Sequence, residues 1–349
     1  MLSEELFTPE YIRKIQNETK SDPALIERVV FSFGMLEALS RSGLPFIFKG
    51  GTALLLLLPV PCRFSTDIDI LVEPGTEIEE YIDRASKIFP FKRYEEISRS
   101  SPKTIQKRHF RFYYTSPSTG KEFANLLDVV FARNPYSDIR NLPVDTSLFP
   151  ATEPMLHVDV PSVNAILADK LTAFAPHTTG IPFGQDKELE IIKQFYDIAR
   201  LIDAMDDYPA VRDTYDEVVR EELAYCTRAY TRDDVLWDTI RACVCIAGRG
   251  IVDKTEYARY LDGIRRIRNH IIHGRYSAEH ALRDTGKVAY LASCILTGQE
   301  YQRIEEPESF LNHPLQGELF EKISYIRKLD PECYAYFVKT SANMKRYIP

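Results

Sequence analysis

The chain lacks most of the features that assign a protein quickly to a class. Its 6 cysteines are scattered over 349 residues, with no CxxC pair and no histidine cluster at zinc spacing. That pattern excludes a disulfide scaffold and a zinc finger, and it reads as reduced thiols in a cytoplasmic protein. The longest apolar run, Ala53 to Val60, is too short to cross a bilayer, so no membrane partner is expected. The N-terminal MLSEELFTPEYIRKIQ has no basic region followed by an apolar core, so no signal peptide is expected. Basic charge is also short: 44 Lys and Arg face 51 Asp and Glu, for a net charge of −7. Any nucleic-acid contact must therefore come from a local patch. Neither a Walker A loop nor GxGxxG is present, which removes support for P-loop and Rossmann nucleotide binding.

What is present suits a globular chain of two domains, with 44% hydrophobic and 27% charged residues. Residues 22–42 carry Pro23 in the first turn, apolar residues at helical spacing and a stop at Gly43, which predicts a helix. Next come a short strand at PFIF, a turn and helix at GGTALLLLL, and a strand at TDIDILV. Further strands are predicted at HFRFYYT, NLLDVVFA and MLHVDV, ending near 115, 132 and 160. Beyond Ser162 helical periodicity dominates and glycine becomes rare. The expected architecture is α+β, a mixed sheet with flanking helices over 1–207 and an all-helical domain over 208–349.

The chemistry concentrates in KGGTALLLLLPVPCRFSTDIDILV, residues 49–72. On a strand, Asp67 and Asp69 project to one side while Ile68 and Ile70 point into the core. Two adjacent carboxylates repel, and a divalent cation neutralises them most easily. Magnesium is the expected ion, with manganese as an alternative. Gly50 and Gly51 allow close backbone approach to a phosphate at the start of the following helix. Thr52 offers a hydroxyl, and Arg63 and Ser65 offer contacts from the loop before the strand. Either the glycine pair or the DxD alone is commonly structural; their order together points to nucleotide chemistry.

This stretch resembles the nucleotidyltransferase signature of the AbiEii/MenT type of toxins from abortive-infection and toxin–antitoxin systems, within the DNA polymerase β-like superfamily. The resemblance covers roughly residues 1–200. It implies an enzyme that transfers a nucleotide from an NTP to an acceptor such as tRNA, with a cognate antitoxin as partner. Lys49, Gly50, Gly51, Thr52, Arg63 and Ser65 match the nucleotide-binding part, and Asp67 and Asp69 match the metal ligands. The family also carries a later lysine and a [RK]xxxYD-like segment, which implies Lys170 in ILADKLTAF, and Lys193 and Asp197 in IIKQFYDIARL. Lys170 would neutralise triphosphate charge and Asp197 would orient or deprotonate the attacking group. Gln194 stands where the family often has an acidic residue. Many polymerase β-like enzymes use a third carboxylate from a neighbouring strand, a place that Asp128 in NLLDVVF fits, with Asp159 a weaker candidate; a structural ion pair is the competing reading of Asp128.

A second motif, Arg268-Asn269-x-x-x-His273, has the form found in HEPN ribonucleases, which cleave RNA without metal. On a continuous helix these two side chains lie about 140° apart. The alternative readings are therefore a HEPN-like ribonuclease through Arg268 and His273, or a non-catalytic interaction module on a transferase fold. Two basic clusters, Lys103/Lys107/Arg108/Arg111 and Arg265/Arg266/Arg268/Arg275, read first as solvated faces and second as RNA-docking patches.

Overall fold

The computed structural model describes residues 1–97, 106–184 and 186–347. Lys103 lies outside these residues. The chain divides into two compact units: Met1–Ser162 with Asn269–Gly274, and Val163–Arg268 with Arg275–Pro349. The expected boundary at 207/208 falls inside the second of these, between two of its helices. Among the described residues no helix is long and apolar enough to cross a membrane.

The first unit contains helices α1 (Pro9–Thr19), α2 (Pro23–Ser42), α3 (Gly50–Leu57) and α4 (Glu79–Ser86). Its strands are β1 (Ile47–Lys49), β2 (Ile68–Val72), β3 (Arg93–Ile97), β4 (Gln106–Thr115), β5 (Glu122–Phe131), β6 (Ile139–Pro143) and β7 (His157–Pro161). They form one mixed sheet in the order β3-β4-β5-β2-β1-β7-β6. The pairs β2/β5 and β1/β7 are parallel, and the rest are antiparallel. Asp22 caps α2 by accepting from the Ala24 N–H, Pro23 occupies its first turn, and Gly43 ends it in the left-handed region. Most of α2 is buried, as are the alternate residues Phe110, Phe112, Leu127, Val129, Ile68 and Ile70 of the central strands. Asn125 on β5 donates to the Arg28 carbonyl and to Ser32 Oγ, both at 2.8 Å, which satisfies a buried amide and fixes α2 on the sheet.

The predicted strands and helices are all present, with ends shifted by a few residues. Two strands escaped the sequence reading, β3 and β6, and both are sheet edges. Their sequences, RYEEI and IRNLP, contain no fully buried residue, so neither shows the apolar alternation by which a half-buried strand is read.

The second unit is helical: α5 (Val163–Ala173), α6 (Glu188–Ala204), α7 (Tyr208–Ala224), α8 (Arg232–Ala247), α9 (Lys254–Ile267), α10 (Ala278–Thr297), α11 (Glu318–Glu321) and α12 (Pro331–Asn343). Four of these helices, α7, α8, α9 and α12, start at side-chain caps: Asp207, Asp253 and Asp330 accept from main-chain N–H groups, and Thr231 with Asp234 forms a capping box. Gly263 on α9 meets the start of α6 so closely that a Cβ would lie 2.2 Å from the Glu188 carbonyl oxygen.

Candidate active site

The site in the first unit begins where β1 ends and α3 starts. Gly50 has φ +80°, and a Cβ there would lie 2.1 Å from Asp69 Oδ2. Only glycine accommodates both the left-handed backbone and the approach of the carboxylate. At Gly51 a Cβ would lie 2.6 Å from Arg63 Nη2 and 2.9 Å from Ser65 Oγ. The glycine turn is thus surrounded by Asp69, Arg63 and Ser65, which the sequence reading had grouped on spacing alone.

The burial alternates as the DxD reading requires. Asp67, just ahead of β2, is exposed and Asp69 is half-buried, while Ile68 and Ile70 are fully buried. The backbone before β2 is held from two sides. Thr52 Oγ1 donates to the Asp67 carbonyl at 2.6 Å, and the Ser32 hydroxyl lies against the carbonyl of Thr66. Thr52 is fully buried and its hydroxyl donates to the Asp67 carbonyl, so its side chain shapes the entry to β2.

Strand register then builds a row across the sheet. Asp128 on β5 is the parallel partner of Asp69, His109 on β4 is opposite Asp128, and Lys49 on β1 is opposite Asp69. Two carboxylates therefore lie side by side with a basic residue at each end. His109 Nδ1 is 2.6 Å from Asp128 Oδ1. Lys49 Nζ lies 5.5 Å from the centre of the Tyr136 ring. His109 was not among the sequence candidates, although the turn SPSTGK makes residues 109 and 128 equidistant from its centre, the available signal for that pairing. Asp159 on β7 accepts from Asn141 Nδ2 at 2.7 Å.

In the second unit Lys170 on α5 and Asp197 on α6 form a buried ion pair at 2.8 Å, their side chains 4% and 1% exposed. Lys170 Nζ also donates to Gln194 Oε1 at 3.0 Å, so the glutamine that departs from the family pattern serves as a neutral acceptor for the same ammonium. Lys193 is paired with Glu190 one turn back at 3.7 Å. Among the described residues no group of three or more His, Cys, Asp and Glu side chains is arranged to hold a metal.

The basic clusters are partly neutralised. Arg108 forms ion pairs with Glu79 and Glu96, and Arg266 with Asp186 and Asp262. The Arg268–His273 segment is not one helix: α9 ends at Ile267, residues Arg268–His270 form a 3-10 turn, and Ile271 is bridged to Arg63.

A mixed sheet with flanking helices and a glycine turn set against Asp69 has the fold of the nucleotidyltransferase class. The profile of the family described as "Nucleotidyl transferase AbiEii toxin, Type IV TA system" matches residues 35–270. The chain belongs to this family of nucleotidyltransferase toxins. No curated protein matches it. Among solved structures, JHP933 from Helicobacter pylori is similar at 13% identity and TM-score 0.44, covering 78% of this chain and 93% of its own. A second H. pylori protein, described as a candidate nucleotidyltransferase, is similar at 13% identity and TM-score 0.44, covering 79% and 99%.

Proposed function

We propose that this chain is a magnesium-dependent transferase that passes a nucleotide from an NTP to the 3′ end of an RNA, with tRNA as the acceptor the family suggests and a cognate antitoxin as its partner. The observation that carries the reading is the apposition of Asp69 to the Gly50 turn, with Asp128 paired to it in the adjacent strand. Hard oxygen donors in a pair suit magnesium, which takes one or two carboxylates and completes its shell with water and phosphate oxygens. Magnesium, or manganese, would be held by Asp67 and Asp69 and would supply neutralisation of charge on the reacting phosphates.

The chain's own contribution is positioning. The N–H groups at the start of α3 face a phosphate, and Arg63 and Ser65 beside Gly51 add donors to its oxygens. Lys49 adds positive charge at the end of the carboxylate row. Asp128 is the third carboxylate of the proposed site, and His109 fixes its orientation through Oδ1. The RNA hydroxyl gives its proton to a carboxylate base, the role proposed for Asp197, as its oxygen attacks the α-phosphorus in line; the bond from that phosphorus to the oxygen bridging to the β-phosphate breaks, and pyrophosphate leaves. For Lys170, Lys193 and Asp197 the proposal follows residue type: ammonium groups for triphosphate charge and a carboxylate to orient the attacking group. The pairing of Lys170 with Asp197 gives both a structural role as well.

The test is incubation with each labelled NTP, magnesium and total RNA. Label is expected in RNA with the wild-type chain, and none with Asp67→Asn, Asp69→Asn or EDTA. RNA shortened in EDTA, or wild-type transfer by Asp69→Asn, would overturn the reading.

A further inference from the structure

Six residues from late in the chain belong to the first unit. Asn269–Gly274 packs with residues 1–162, and its main chain pairs with the loop between α3 and β2. The Phe64 N–H donates to the His270 carbonyl at 2.8 Å, and the Ile272 N–H donates to the Cys62 carbonyl at 3.1 Å. Between these bonds Arg63 and Ile271 face each other in an isolated antiparallel bridge. Bonds that flank a pair in this way mark its non-hydrogen-bonded form, in which the facing side chains approach most closely. Gly274, with φ +79°, turns the chain away at the end of the segment.

The loop that receives this segment carries two of the donors beside the glycine turn. Arg63 is only 5% exposed, its Nη1 donates to the Phe64 carbonyl at 3.1 Å, and its Nη2 lies against Gly51. Outside the bridge, residues 61–67 have no regular secondary structure. A loop side chain that must meet a phosphate needs its backbone held to a fraction of an ångström, which free loops do not provide. A two-bond bridge centred on Arg63 provides it. His273, the residue a ribonuclease reading would need, is exposed at the end of the segment, and its neighbours Ile271 and Ile272 are buried.

We propose that Asn269–Gly274 is a main-chain clamp that positions Arg63 for the triphosphate of the nucleotide, so that Ile271 and Ile272 are positioning residues of the transferase. The inference rests on the nucleotide site proposed above. It assigns the RNxxxH segment to nucleotide binding through its backbone, with the Arg268 and His273 side chains outside that role.

The experiment uses the full chain and three readouts: thermal melting, hydrogen exchange at the Phe64 amide, and calorimetric titration with the NTP used in transfer. Ile272→Pro deletes the donor to Cys62, and Ile272→Gly loosens the bridge while keeping the donor, for use if the proline variant does not fold. Either variant is expected to expose the Phe64 amide and weaken NTP binding about tenfold or more, the scale of one charge-assisted contact. Arg268→Ala and His273→Ala are expected to bind as wild type. Arg63→Ala combined with the clamp variant should be no weaker than Arg63→Ala alone, since both remove one contact. Wild-type affinity in a folded clamp variant, or additive losses in the double variant, would overturn the clamp. A wild-type chain that binds no NTP but protects the Phe64 amide would overturn the nucleotide site and not the bridge.

Discussion

Removing Asp197 should cost far more stability than removing any exposed carboxylate of this chain. Its side chain is 1% exposed and its partner Lys170 4%, and Lys170 has Gln194 as its remaining acceptor among the bonds described above. In Asp197→Ala the ammonium stays buried beside one neutral oxygen, and breaking a buried pair from one side costs about 3–5 kcal/mol. At about 2–4 °C per kcal/mol for a domain of 150–250 residues, the second unit should melt roughly 6–20 °C lower. Scanning calorimetry at pH 7 measures this directly. The double variant Lys170→Met/Asp197→Leu replaces both charges by apolar groups of similar size and is expected to melt near wild type, because desolvating the pair offsets most of its attraction. If the pair also serves the reaction, the double variant regains stability and remains inactive in the labelled-NTP assay. A single variant that melts within about 2 °C of wild type would refute the account of the pair.

Gly50→Ala combines a left-handed backbone, worth about 1–2 kcal/mol against a non-glycine residue, with a Cβ placed on Asp69. A melting point lowered by a few degrees and loss of NTP binding in calorimetry are expected. His177 is hydrogen-bonded through Nδ1 to Asp238 at 2.8 Å, which raises its pKa above the ordinary value, while burial opposes the shift. Since the folded pKa is the higher, the stabilisation is complete below about pH 6.5 and fades as pH rises through the raised value. Melting followed from pH 5 to 9 should show this decline, and His177→Gln should lack it. Alkylation of the native chain should label Cys62 and then Cys226, whose thiol is pushed up by burial and by Glu222. Cys243, Cys245, Cys294 and Cys333 are buried, with Cys245 pushed up to about 12 and Cys294 to about 11, so mass spectrometry should find them unmodified until the chain unfolds.

The part of the site within residues 47–72 was legible because each of its constraints is local. A glycine pair at a strand–helix turn, and alternation across Asp67–Ile68–Asp69–Ile70, are properties of neighbours in the chain. For Thr52 the residue type says that it can donate, but not that its hydroxyl also holds the Asp67 carbonyl. Gln194 was read as a departure from a pattern, and its role became visible only when Lys170 was placed one helix away. The bridge from Ile271 to Arg63 joins residues about 200 positions apart through main-chain atoms, which no side-chain pattern records. The RNxxxH motif was read on a continuous helix, and the structure ends that helix at Ile267.

The strand row answers why an apolar segment carries carboxylates at all. Like charges on directly neighbouring strands are destabilising, so Asp69 beside Asp128 would weaken the centre of the sheet if nothing compensated. Compensation lies at both ends of the row: His109 opposite Asp128 at one, Lys49 opposite Asp69 at the other. Neither base stands between the two acids, because β2 and β5 are adjacent in the sheet. The sheet thus accommodates two adjacent acids beside the glycine turn, and the magnesium proposed above would add to that compensation. A structural pair would have alternated acid and base across β5, β2 and β1. Adjacent acids in the middle of the row are the oxygen donors on which the proposed magnesium site would draw.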